Sequence, residues 1–168
     1  MKKISVLTAL LLILASSVFA DKVSFNTKTI ENKTVTEAIF EDAELTMINI
    51  WGTFCGPCIN EMPDLAKLNR DYSEKGFQVV GVVIDSVNRK GLPVPKTVDA
   101  AKKIAKQTGA DYIHIVPDIK LQSSLLAGVT AVPATVFVNK DGEIVGSVYT
   151  GSRSYEEWKK IVDKLMAK

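Results

Sequence analysis

Two cysteines, Cys55 and Cys58, are the only ones in a chain of 168 residues, and they stand three positions apart. No other feature limits the choice of fold so strongly. A structural disulfide stabilises mainly by closing a long loop in the unfolded chain, and a bridge across two residues closes almost nothing. A structural zinc site asks for about four ligands, and the chain offers these two thiols and one histidine, His114, far along the sequence. A structural staple or a metal site is therefore the weaker reading of the pair, and the fold's stability is expected from a hydrophobic core. The pair itself reads as a redox-active dithiol.

The residues around the pair give it a place. Leu45–Trp51 (Leu-Thr-Met-Ile-Asn-Ile-Trp) is a short apolar run that predicts a buried strand, ended by Gly52. From Gly56 to about Lys75, apolar Ile59, Met62, Leu65, Leu68 and Tyr72 recur at three- and four-residue steps. That spacing predicts an amphipathic helix, kinked at Pro63 and stopped at Gly76. Cys55 then falls at the helix N-terminus, where unpaired N–H groups and the helix dipole favour a thiolate. The thiolate is the attacking species in disulfide exchange. Cys58, one turn in, is set to attack the mixed disulfide that results. Pro57 suits the first turn, where its missing N–H would have had no partner.

Further on, Phe77–Asp85 is β-branched with no polar alternation, as in an interior parallel strand. Before these elements, Ser24–Ile30 predicts a strand with a turn at Glu31-Asn32-Lys33. After them come a loop, Ser86–Lys96, and a helix capped by Thr97 and ended at Gly109. A short strand at Tyr112–Val116 precedes a short helix over Asp118–Ala127, closed by Gly128. Strands Ala134–Asn139 and Glu143–Tyr149 flank Asp141-Gly142, a hairpin signal. Ser154–Met166 is a last helix, with Trp158 as its core anchor. The order β–α–β–α–β–α–β–β–α predicts an α/β fold with a central mixed β-sheet and helices on both faces.

Residues 1–20 differ from the rest. Met1-Lys2-Lys3 is cationic, Ile4–Phe19 carries no charge, and Val18-Phe19-Ala20 offers small residues before Asp21. This is the layout of a secretory signal peptide cut after Ala20, and it predicts export to the periplasm or the outer face of the cytoplasmic membrane. An uncleaved N-terminal anchor is the alternative, although the run is short for a membrane helix and has no cationic stop beyond it. The remaining 148 residues, 21–168, suffice for one domain. Losing Lys2 and Lys3 brings the cations level with the 19 acids. A near-neutral chain lacks the clustered positive charge of a nucleic-acid binder, and 46% hydrophobic content argues against disorder.

Trp51, Cys55-Gly-Pro-Cys58 and Pro63 resemble the thioredoxin active-site segment. Ala131-Val132-Pro133-Ala-Thr-Val-Phe is similar to the segment that holds the cis-proline of that fold, and Asp141-Gly142 to its following hairpin. The resemblance covers roughly Val23 to Leu165. It is closest to the exported TlpA/ResA-like branch, given Asn49-Ile-Trp-Gly-Thr-Phe-Cys and Cys58-Ile-Asn-Glu61-Met-Pro63. It implies a thioredoxin fold and a thiol–disulfide oxidoreductase in which Cys55 is the nucleophile and Cys58 the resolving thiol. Val132, Pro133 and Trp51 are then the client-docking elements, and Val132 pairs with the client backbone as an added strand. It implies no cofactor beyond the Cys55–Cys58 disulfide. Partners would be oxidised exported proteins, such as apocytochrome c or a methionine sulfoxide reductase, and a membrane electron-transfer protein that re-reduces the dithiol. A disulfide-forming oxidase is the alternative direction, and a non-catalytic copper-binding module the alternative class.

One departure matters. Thioredoxin carries a buried aspartate two residues before the tryptophan, and here that position is Asn49, which cannot accept a proton from Cys58. Glu61 and Asp85 are the candidate proton acceptors in its place, with a water as a third choice. Glu61 is explained equally well as an ordinary acid on the helix surface. His114 reads as structural, and Arg89 and Lys90 as a solvated loop. A peroxidase of this fold would need Thr-x-x-Cys, but position 52 is Gly.

Overall fold

The computed structural model describes residues 22–167. The expected leader, 1–20, and its cut after Ala20 lie outside the described residues. At the centre is β3 (Leu45–Trp51), with all of its residues buried. A strand covered on both faces needs no polar alternation, hence its unbroken apolar run. Beside it lie β4 (Phe77–Val83), parallel, and β6 (Ala134–Asn139), antiparallel. β7 (Ile144–Thr150) pairs with β6 through the Asp141-Gly142 turn, where Gly142 takes φ +78°. On the other side, β5 (Ile113–Val116) runs parallel to β4. A hairpin of β1 (Asn26–Thr29) and β2 (Thr34–Thr36) extends that edge, giving the order β2-β1-β5-β4-β3-β6-β7.

Among the described residues, four α-helices pack on the sheet: α1 (Gly56–Tyr72), α2 (Pro95–Thr108), α3 (Ile119–Ser123) and α4 (Tyr155–Met166). Side chains alternate across each strand. Met47 and Trp51 of β3 and Val79 and Val83 of β4 share one core with α1, α2 and α4, including Trp158. Ile48, Ile50, Val80 and Val82 face the other core, with Phe25, Phe40 and Leu121 of α3. This is the mixed sheet with helices on both faces that the order of elements predicts.

The differences from expectation are local. The first strand is shorter than Ser24–Ile30, and β2 was not anticipated, because three residues with one buried Val35 carry no readable period. Asn32 makes the intervening turn at φ +66°, a left-handed conformation that Asn tolerates. α2 starts at Pro95 with Val94 as its cap, not at Thr97; a proline preset for the first turn begins the helix two residues sooner. The helix expected over Asp118–Ala127 stops at Ser123. There the Ser123 and Ser124 hydroxyls donate back to the Ile119 and Lys120 carbonyls, at 2.9 and 2.6 Å, and Ser124 leaves helical geometry. Such local hydroxyl bonds compete with helix propagation.

Candidate active site

β3 ends at the sheet's rim, and the chain turns through Gly52 into α1. Two anchors hold this turn. Cys55 N–H donates to the Gly52 carbonyl at 3.0 Å. Thr53 gives its N–H and its hydroxyl to the two oxygens of Asp85, at 3.0 and 2.5 Å. Phe54 projects outward, 69% exposed, with its ring over Gly52 at a distance where a Cβ would collide with it. Cys55 is the N-cap of α1, and its sulfur accepts the Cys58 N–H at 3.2 Å. A sulfur in this place satisfies a helix donor that has no partner inside the helix and lies at the positive end of the dipole. No acidic residue occupies the first turn to oppose it.

The two cysteines are joined in a disulfide, with Cα atoms 5.3 Å apart. Cys58 has no exposed surface and Cys55 retains 6%. Of the two residues, only Cys55 keeps any contact with solvent.

Beneath the pair, a polar row crosses the core. Asn49 of β3 is the cross-strand partner of Thr135 on one side and of Gly81 on the other, and Gly81 is the partner of His114. Glu61 descends from α1 onto this row. It is buried, which removes the alternative of a surface acid. Its Oε1 accepts Asn49 Nδ2–H at 3.0 Å, and its Oε2 accepts Arg153 N–H at 3.0 Å and Trp158 Nε1–H at 3.4 Å. Burial pushes the carboxyl's pKa up, and the bonds from Arg153, Asn49 and Trp158 and the Arg153 charge offset part of that rise. Glu61 follows Cys58 by three residues, so the two share the inner face of α1. Asp85 is half-buried in the 3-10 turn that follows β4 and is engaged by Thr53.

Val132 is half-buried and packs against the core that contains both cysteines. The Val132–Pro133 bond is cis, and the Pro133 carbonyl accepts Gly151 N–H at 2.9 Å. Trp51 does not fit the docking role expected for it. It has no exposed surface, because β3 is covered on both faces, and its ring meets His114 edge-on at 5.5 Å. His114 is structural, as the sequence suggests: burial lowers its pKa to about 4, and Nε2 faces the Ala110 carbonyl at 3.2 Å. Among the described residues, no group of three or more His, Cys, Asp or Glu is placed to hold a metal ion. Sequence reasoning missed Thr135 and Arg153. Thr135 had a signal, a lone hydroxyl between apolar neighbours in β6. Arg153 had none, since its contacts exist only once β7 and α4 are packed.

A family model described as Redoxin matches residues 19–157. The chain belongs to the redoxin family. Among curated relatives, this redoxin is similar to the thiol-disulfide oxidoreductase ResA of Halalkalibacterium halodurans, 36% identical over 62% of this chain and 52% of the relative. It is also similar to the thiol:disulfide interchange protein DsbE of Haemophilus influenzae, 29% identical over 83% of this chain and 71% of the relative. The redoxin thus spans about half the length of the ResA relative. Its fold matches the crystal structure of a thioredoxin-family thiol:disulfide interchange protein from Chlorobium tepidum. The TM-score is 0.68 at 22% identity, over 85% of this chain and 93% of that one. The α/β architecture is therefore the thioredoxin fold.

Proposed function

We propose that this chain is a thiol–disulfide oxidoreductase that reduces disulfides in extracytoplasmic proteins. The observation that carries the proposal is a disulfide at the N-terminus of α1, with Cys55 keeping a small exposed area and Cys58 none. In the reduced form, the Cys55 thiolate attacks one sulfur of a client disulfide, and the client's other sulfur leaves as a thiolate. Cys58, after losing its proton, attacks the Cys55 sulfur. The second client sulfur leaves, and Cys55–Cys58 re-forms. Two electrons pass from the pair to the client, and a membrane electron-transfer protein returns them.

Glu61 takes the Cys58 proton in this scheme. Its buried place one turn along α1 supports the role, as does a pKa raised toward neutrality, where a carboxylate is a better base. Asp85, the other candidate, has both oxygens engaged by Thr53 and serves to hold the cysteine turn. Val132 and Pro133 dock the client backbone, a role supported by the packing of Val132 on the cysteine core. The signal-like start of the sequence supports export to the periplasm or the outer membrane face. Clients would then be exported proteins such as apocytochrome c or a methionine sulfoxide reductase.

The test is the reduction potential of the pair, by equilibration with glutathione. Gly56 and Pro57 add no cation or side-chain donor to hold a thiolate. A value nearer ~−270 mV than ~−120 mV is expected, and one above about −180 mV would overturn the reductase direction in favour of an oxidase. In parallel, Cys58→Ser should accumulate mixed disulfides with clients and Cys55→Ser none. The reverse pattern would exchange the two roles.

A further inference from the structure

The segment Gly151-Ser152-Arg153, between β7 and α4, reaches two parts of the candidate site at once. Gly151 N–H donates to the Pro133 carbonyl at 2.9 Å, and Arg153 N–H donates to Glu61 Oε2 at 3.0 Å. The two bonds leave one short piece of backbone, so neither can shift far without the other. Gly151 stands at φ +87° and Ser152 is exposed, so no regular structure braces the segment.

The Arg153 side chain braces it instead. Nη1 donates to the Thr150 carbonyl at 3.3 Å and to the Gly151 carbonyl at 2.8 Å. The guanidinium lies over the rings of Tyr149 and Trp158, 5.3 and 5.0 Å from their centroids. These rings themselves pack edge-on at 5.8 Å, one on β7 and the other on α4. A planar cation can stack and donate in its own plane at the same time, which an ammonium cannot.

We propose that Arg153 is a positioning residue for the thiol exchange: its guanidinium, seated on Tyr149 and Trp158, locks the Gly151–Arg153 segment so that one N–H holds the Pro133 edge and another holds the Glu61 carboxylate. Protonation at Glu61 and docking of a client at the Pro133 edge then act on the same rigid piece of backbone. This inference rests on the roles proposed above for Glu61 and Pro133. The charged and titratable groups that bear on Glu61 are the Arg153 guanidinium and the Tyr112 hydroxyl from the segment before β5.

The experiment compares Arg153→Lys, which keeps the charge, with Arg153→Gln, which does not. The Glu61 carboxyl is titrated by carbon NMR in the oxidised protein, and kcat/KM for a disulfide client is measured against pH. Both variants should raise the Glu61 midpoint by ~0.5 pH unit or more and lower kcat/KM by about tenfold, with the pH profile moving alongside. If Arg153→Lys titrates and turns over like the wild type, charge alone matters and the positioning role is overturned; an unmoved Glu61 midpoint in both variants overturns it too. If the midpoint moves in both but the pH profile of turnover stays, Arg153 does position Glu61, and it is the proton-acceptor role of Glu61 that fails. Should Arg153→Gln not fold, amide exchange in the wild type decides. Gly151 and Arg153 amides should lose protection together as Glu61 is protonated, and independent behaviour would overturn the lock.

Discussion

Glu61 of α1 and His114 of β5 are both buried between the sheet and its helices, and burial drives both toward the neutral form, the acid by raising its pKa and the base by lowering it. Their surroundings differ. Glu61 sits among three donors, from Asn49, Arg153 and Trp158. His114 has one partner, the Ala110 carbonyl, while its Nδ1 and the neighbouring Trp51 Nε1 find none among the described residues. A carboxylate can be kept inside a protein only if donors surround it, whereas a neutral imidazole tolerates a missing bond at a cost of a few kcal/mol at most. The row is thus polar at both ends but equipped for ionisation only under Cys58. Chemistry is supported at one end and packing at the other.

The largest effect should come from the packing end. A Cβ added at Gly81 would stand 2.3 Å from His114 Nδ1 and 3.0 Å from Trp51 Nε1. Both rings are pinned, so Gly81→Ala should cost ~3 kcal/mol or more in urea unfolding. A silent substitution would mean that the His114 end is loosely filled, and the contrast with Glu61 would collapse.

Next comes acid. The folded pKa of His114, about 4, lies below its ordinary 6.5. As pH falls below 6.5, the unfolded chain takes up the proton first, so stability present above 6.5 is lost progressively toward pH 4. This loss should be on the order of 3 kcal/mol, and His114→Phe should flatten that limb of the stability–pH curve. Glu61 acts with the opposite sign. Its raised pKa favours the folded state at low pH, and that advantage fades as pH rises from the ordinary carboxylate value of 4.5 through the raised one.

Two smaller effects probe the donor-rich end. Asn49→Ala removes one donor from Glu61 Oε1 and leaves Thr135 without its partner. It should cost ~1–3 kcal/mol and raise the Glu61 midpoint further. Glu61→Gln should change stability at pH 7 by no more than about 1 kcal/mol. The Asn49 amide can turn so that its Oδ1, which has no partner among the described residues, accepts from the new side-chain amide. The same variant should abolish the pH dependence of resolution by Cys58, read as the decay of a mixed disulfide. A full-rate, unshifted profile would leave Glu61 a structural acid like any other.

The elements legible from sequence were those whose order is local. Leu45–Trp51 shows as a strand because burial on both faces makes its residues apolar, and α1 begins at Gly56 because Cys55, Pro57 and a three- and four-residue apolar step all act within one or two turns. The same locality placed the sulfur pair at a helix N-terminus. Tertiary structure decided the rest. Whether Glu61 faced solvent or the core turned on a rotation about α1 that only packing against β3 and α4 could set. Trp51, expected to meet a client, is buried because helices contributed from elsewhere in the chain cover its face of β3. Arg153 stands 92 residues from Glu61, and no periodicity extends so far. Local hydrogen bonds and side-chain period write themselves into neighbouring residues, whereas burial and charge environment are properties of what the folded chain brings together.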